Sequence, residues 1–402
     1  MHGTWRYTPA GTGRRAIKLL LTLNVGKKGV KSMQFHRIQQ VEPWLGRSEL
    51  EALNGCIERN WLTEGPAAAA FRQSMSQLTG ANHVALAPNG TLGLFLALLA
   101  LDLPRGSEII IPGFTFMASA SAAVFAGLKP VLVDVDPHTF TARPEAFERA
   151  ITPRTSALMP VHIYGQAAYA AEIAQVGKRH GLAVIEDAAQ ACGVRYRGQH
   201  AGTFGDVGVI SFFADKTITM GEGAAVLSRE QRLARRISLL RNQGRESSGS
   251  FIHESLGMNF RVTDMQCAVG QAQMARLPQV KIDRLRRYNL FQEGLTGLAQ
   301  LRFMKVDPNS EFIPFRFPIL CPRMPELRDA LELAGVQTRS MFYPLHRQPC
   351  LAGLIDPVDL PICDTLYGEG LCLPVHQGLQ DSDVHHVIDV IRNTLSRKSS
   401  VS

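Results

Sequence analysis

Residues 207–223 read VGVISFFADKTITMGEG. Val207 to Phe212 is a short apolar run that stops abruptly at Ala214-Asp215-Lys216 and a Gly-rich turn. Such a run reads as a strand with no solvated face, its polar residues gathered past its carboxyl end. The same shape recurs upstream. His83 to Ala87 runs into Pro88-Asn89-Gly90-Thr91, Glu108 to Ile111 into Pro112-Gly113, and Ala183 to Asp187 ends in Glu186-Asp187-Ala188-Ala189-Gln190. Pro130 to Asp134 and Ala157 to His162 add two strands, while Thr91 to Leu101 and Phe116 to Ala126 read as helices. Strands buried on both faces and separated by helices predict an α/β domain with a mainly parallel sheet sandwiched by helices. In open sheets of this kind, ligands sit at the carboxyl ends of the strands.

Downstream the texture changes. Thr263 to Leu277 predicts a helix that stops at Pro278, and Val280 to Leu298 a second, charged amphipathic one. Phe312 to Leu320, Met324 to Ala334 and Asp381 to Leu395 then read as strand, helix and helix. The expected organisation is a large domain over residues 33–284 and a smaller α+β domain over 285–402.

Composition excludes several classes. With 45% apolar and 19% charged residues among 402, the chain is not of the disordered type. No apolar run approaches the ~20 residues of a membrane helix. The net charge is +8, but Arg6, Arg14, Arg15, Lys18, Lys27, Lys28 and Lys31 all lie in residues 1–32, which contain no acid. The remainder is near neutral and shows no basic stripe with interleaved aromatics, so no nucleic-acid partner is expected. Residues 1–32 lack the uninterrupted apolar core and small-residue cleavage site of a leader. They read as a disordered extension, or as an upstream extension of the reading frame with the functional start at Met33. The seven cysteines are odd in number and widely spaced, with no C-x-x-C. That predicts neither a disulfide scaffold nor a metal site, and fits reduced thiols in the cytoplasm.

Three strand ends carry polar residues that need an account. Asn89-Gly90-Thr91 is either a turn and helix cap or, through its free N–H groups, an anion site. Asp187 is either a helix cap or the partner of a buried cation, since a lone buried carboxylate is costly. Lys216 is either a solvated loop lysine or, if desolvated, a nucleophile toward carbonyls. Taken together, a nucleophilic lysine, a carboxylate for a pyridinium nitrogen and helix-start N–H groups for a phosphate are what pyridoxal phosphate requires. Phe116 follows another strand end and could cover the ring face.

At these positions the chain resembles the sugar aminotransferases of the DegT/DnrJ/EryC1/StrS family, fold type I pyridoxal-phosphate enzymes. The segments that carry the likeness are Trp61-Leu62-Thr63-Glu64-Gly65-Pro66, Asn89-Gly90-Thr91, Ile111 to Phe116, Val133-Asp134-Val135-Asp136, Glu186 to Gln190, Ser211 through Gly223, Gly257-Met258-Asn259-Phe260-Arg261 and Leu373-Pro374. The resemblance implies that Lys216 is the Schiff-base lysine and proton shuttle, and Asp187 the pyridinium partner. It implies that Gln190 lies beside the ring hydroxyl, Phe116 on the ring face, and Gly90, Thr91 and Ser211 around the phosphate. It also implies that Asn259 reaches the phosphate of the other subunit, hence a homodimer with shared active sites. Thr63 and His162 are candidates on the substrate side, His162 having a packed, hydrogen-bonded role as its alternative. His346 and His376 read as structural.

Within the family, the Ser211 to Gly223 segment is similar to that of perosamine synthases. The implied reaction moves an amino group from glutamate to a nucleotide-linked keto-deoxy sugar, GDP-4-keto-6-deoxymannose or a related dTDP or UDP sugar. Alternatives on the same fold are a sugar dehydratase and a non-catalytic cofactor- or sugar-binding sensor. The presence of Lys216 and Asp187 disfavours both. Two departures from the family pattern stand out. Ala224 follows Gly223 where a second glycine is usual, and Gln243 stands where many members have histidine.

Overall fold

The computed structural model describes residues 37–396 apart from 168, 248 and 250. The extension read at 1–32 lies outside the described residues. The expected strands form: β1 (His83–Ala87), β2 (Glu108–Pro112), β3 (Lys129–Val133), β4 (Thr155–Leu158) and β5 (Ala183–Asp187). Two short strands follow, β6 (Arg195–Tyr196) and β7 (Gln199–His200), then β8 (Val207–Ser211) and β9 (Ala224–Ser228). The last part of the chain supplies β10 (Arg302–Phe303), β11 (Ser310–Glu311), β12 (Phe317–Leu320), β13 (Arg339–Ser340) and β14 (Gly370–Leu373).

The main sheet has seven strands in the order β1-β9-β8-β5-β4-β2-β3. Pairings β2–β3, β2–β4, β4–β5 and β5–β8 are parallel, while β9 runs antiparallel to both β1 and β8. The sheet is therefore mainly parallel, as the buried apolar runs require. The sequence reading contains no strand at Ala224–Ser228, and this five-residue run of small residues is the one that joins β1 to the rest. Side chains alternate between two cores. Ala224 and Val226 face the helix Gly90–Leu101, and Ala225 and Leu227 face the cluster of Phe71 and Met75 on the helix Pro66–Thr79. Helices thus cover both faces.

A second sheet, β10-β12-β14-β13, is antiparallel throughout. Between the sheets in sequence, after the helix Gln231–Arg241, Asp264–Leu295 forms one uninterrupted helix. This corrects the expectation of a stop at Pro278. The helix continues through the proline because Leu277, Val280, Arg284, Tyr288 and Phe291 are all buried, and tertiary packing outweighs one missing hydrogen bond. The expected boundary at 284/285 falls inside this helix. No described helix is long and apolar enough to cross a membrane.

Candidate active site

The carboxyl ends of β1, β2, β4, β5 and β8 open on one cavity of about 330 Å³, within the usual size of small-molecule sites. Gly90 and Thr91 follow β1, Phe116 follows β2, His162 follows β4, Asp187 and Gln190 end β5, and Ser211 and Lys216 follow β8. Eight of the ten candidate residues therefore line one cavity. Asn259 and Thr63 do not line it; both are exposed. The Asn259 side chain accepts from the backbone N–H and Nε of Arg261, at 3.2 and 3.1 Å.

The segment expected to take an anion lies at a helix start. Asn89 Oδ1 accepts from Leu92 N at 3.0 Å and so caps the helix Gly90–Leu101. The cap reading of Asn89 is thus met, and Gly90 and Thr91 still face the cavity. A Cβ at Gly90 would lie 3.0 Å from Ser211 Cβ, so glycine is what keeps that approach open. Ala224, the departure from the family turn, pairs with Ser211 and has no positive φ. Its methyl packs where Gly93 leaves room, 3.4 Å from the Cβ that another residue would carry there.

Asp187 is buried but held open on one side. Ser119 Oγ donates to its Oδ2 at 2.6 Å and the Ala189 N–H to its Oδ1 at 3.1 Å. Thr115 Oγ1 lies 3.0 Å from Ser119 Oγ and orients it. Next to it, Glu186 is wholly buried. Burial alone would raise its pKa, but the His162 hydrogen bond and the N–H groups of Gly202 and Gly205 hold it below the usual range. His162 Nε2 lies 2.8 Å from Glu186 Oε2. The histidine thus both packs and lines the cavity. Gln190 Oε1 accepts from Tyr164 N at 2.7 Å.

Lys216 is half-buried, with Nζ 4.7 Å from the centroid of Phe315. Desolvation lowers its pKa, against the opposing pull of Asp215 and Asp187. A lysine with a weakened hold on its proton is the form that attacks carbonyls. Arg284 lies behind it, donating Nη1 to Pro314 O at 3.0 Å and Nη2 to Lys216 O at 3.4 Å. Phe116 is 59% exposed, its ring 6.1 Å from that of Phe342, which in turn stacks on Tyr164 at 5.7 Å. These rings give the cavity an aromatic wall able to cover a flat heterocycle.

Sequence reasoning missed the wall that comes from the second sheet. Phe315 and Arg316 precede β12, Arg339 and Ser340 form β13, and Cys372 lies on β14. Arg316 Nη2 donates to Asp215 Oδ2 at 2.6 Å and Arg339 Nη1 to the same oxygen at 3.3 Å. A lone arginine in the apolar run Ile313 to Leu320 was a signal for Arg316. Nothing local marks Arg339. His376, read as structural, binds Gln39 O through Nε2 at 2.8 Å.

Residues 43–392 match the model of the DegT/DnrJ/EryC1/StrS aminotransferase family. The GDP-perosamine synthase of Caulobacter vibrioides is 35% identical over 367 residues, covering 89% of this chain and 98% of that protein. A UDP-N-acetyl-3-dehydro-alpha-D-glucosamine 3-aminotransferase of Acidithiobacillus ferrooxidans is 34% identical over 329 residues, 81% of this chain and 88% of that one. Among solved structures, DesV of S. venezuelae in complex with a ketimine intermediate superposes with a TM-score of 0.84 at 32% identity. That match covers 87% of this chain and 95% of DesV.

Proposed function

The chain belongs to the DegT/DnrJ/EryC1/StrS aminotransferase family, and from that membership we propose that it moves an amino group from glutamate to a nucleotide-linked keto-deoxy sugar. The acceptor best supported is GDP-4-keto-6-deoxymannose, giving GDP-perosamine, since a relative of that activity is 35% identical over nearly its whole length. The observation that carries the reading is the juxtaposition of Lys216 and Asp187 in one cavity with the cradle of Gly90, Thr91 and Ser211.

Pyridoxal phosphate, when bound, supplies an electron-accepting ring that takes up charge as a bond at the substrate carbon breaks. The residues present fit it. Asp187, held by Ser119 and the Ala189 N–H, would keep a proton on the ring nitrogen. Gly90, Thr91 and Ser211 would hold the phosphate at the helix start. Gln190 would sit beside the ring hydroxyl and Phe116 on the ring face. Lys216 Nζ would take the proton from the amine-bearing carbon of the substrate and deliver it to the cofactor carbon on the other side of the same nitrogen, a task suited to its lowered pKa. Thr63 and His162 are assigned to the sugar side, with His162 held by Glu186.

The reading includes a homodimer with shared sites, in which Asn259 serves the neighbouring subunit. Phe251, Ile252, Leu256 and Met258 are exposed just before Asn259, an apolar surface that supports a second copy there. The seven free cysteines, six of them buried, support a cytoplasmic setting.

Absorbance of the purified chain loaded with pyridoxal phosphate tests the reading. Glutamate should convert the cofactor band to that of the amine form, and a keto-sugar nucleotide should restore it. Lys216→Ala should abolish both the lysine-bound band and turnover, by about four or more orders of magnitude. Full activity in that variant, or no response to glutamate in the wild type, overturns the proposal.

A further inference from the structure

The cavity has two chemically different walls. The phosphate cradle lies on the main sheet, at Gly90, Thr91 and Ser211. The arginines lie on the second sheet, where Arg316 and Arg339 share one oxygen of Asp215. An anion held by these arginines is therefore a different one from the cofactor phosphate. Arg316 is buried, its guanidinium 4.6 Å from the Phe315 centroid, on the ring that also meets Lys216. The Arg339 side chain is 57% exposed, and its bond to Asp215 is the longer of the two. The other carboxylate oxygen, Asp215 Oδ1, is buried without a hydrogen-bond partner. Asp215 is thus an imperfect counterion to two cations beside the reactive lysine.

Both substrates are anionic, but they differ in where the charge lies. In an amino acid the α-carboxylate is separated from the amine nitrogen by a single carbon. In a sugar nucleotide the diphosphate lies across the width of the sugar ring from the keto carbon. Cations that grip the residue next to Lys216 match the first geometry. We infer that Arg339, backed by Arg316, binds the α-carboxylate of the amino donor, and that Asp215 takes the carboxylate's place when the uncharged sugar ring fills the pocket. This rests on the reading of the chain as a glutamate-dependent aminotransferase. It explains how one pocket serves an acid in one half-reaction and a neutral ring in the next. Asp215 neutralises the arginines between visits, so the buried Arg316 is not left as an unpaired charge.

Stopped-flow absorbance of the cofactor-loaded full chain, with calorimetric titration of glutarate as a dicarboxylate that has no amine, tests this. A wild type that ignores glutamate ends the aminotransferase reading itself. Given a responsive wild type, Arg339→Gln should raise half-saturating glutamate and 2-aminobutyrate about ten-fold or more, as loss of a charge-assisted hydrogen bond implies. The half-saturating keto-sugar nucleotide should change by less than about two-fold, and Arg339→Lys should restore part of the donor loss. Asp215→Asn should tighten glutarate by about three-fold or more, because a competing charge is gone, whereas a merely structural Asp215 would weaken it. The assignment is overturned if Arg339→Gln leaves the donors unchanged, weakens the sugar nucleotide instead, or affects glutamate but not 2-aminobutyrate. Weaker glutarate binding in Asp215→Asn overturns the counterion role. Arg339 is more than half exposed, so its variant tests the inference even where Asp215→Asn disturbs the pocket.

Discussion

His200 is wholly buried, with Nε2 accepting from Gly193 N at 2.9 Å and Nδ1 on the Ala201 carbonyl. A backbone N–H donating to Nε2 requires the neutral ring, and burial lowers its pKa to about 4. The unfolded chain takes up that proton near pH 6.5. Between the two values the unfolded state binds more protons, so stability falls as the pH drops through that window. The full loss is about 3 kcal/mol. Denaturant unfolding from pH 7 to 4.5 should show the decline, and His200→Gln should flatten most of it. His376, whose pKa is also lowered by burial, contributes in the same sense. Glu186 and Asp136, both held below their usual values, act only below about pH 4.5. The role of His200 was not legible in the sequence. A lone histidine between Gln199 and Ala201 carries no sign of which backbone groups will surround it. Asp187 was legible because it ends an apolar strand, where a charge needs a reason, and Lys216 because it follows another by a few residues.

Among the elements, Asp264 joins two helices. It is the first residue of the helix Asp264–Leu295, and its carboxylate accepts from Gly65 and Ala68 N at 2.8 Å and from Ala67 N at 3.2 Å. Those N–H groups belong to the start of the helix Pro66–Thr79, whose own cap position is Gly65, with no side chain to offer. An acid from a distant part of the chain thus does the work of a local cap. Asp264→Ala leaves three N–H groups without their partner, that of Ala68 buried and those of Gly65 and Ala67 partly so, and should cost about 2–3 kcal/mol in urea unfolding. A loss under about 0.5 kcal/mol would mean the helix start is satisfied in another way. The continuous helix was half-legible. Its Thr263-x-x-Gln266 capping box is visible in the sequence and forms as such. Its passage through Pro278 depends on neighbours that no local window contains.

For the molecule as a whole, the exposed apolar side chains are the informative feature. Leu256 is 98% exposed and Phe251 88%, on the stretch that leads to Asn259. Apolar groups so exposed, next to a residue assigned to a neighbour's phosphate, are what the proposed pair of chains would cover. Light scattering should give twice the 44.1 kDa chain mass. Leu256→Asp should shift the protein toward the monomer and weaken retention of pyridoxal phosphate together. A wild-type monomer that holds the cofactor as tightly would remove Asn259 from the site.

The sequence by itself determined the parallel sheet, because strands buried on both faces must be apolar throughout, and that pattern survives in one dimension. It also placed Gly90, Thr91, Asp187, Ser211 and Lys216 at or just past strand ends, and strand ends are local, so their meeting in one cavity was legible; the roles proposed for them rest on the family likeness. The second wall was decided only by the tertiary structure. Arg316 and Arg339 reach Asp215 across 101 and 124 positions of chain. A salt bridge of that span depends on how two sheets pack against one cavity, and local sequence patterns report only the faces of single elements, not which faces meet.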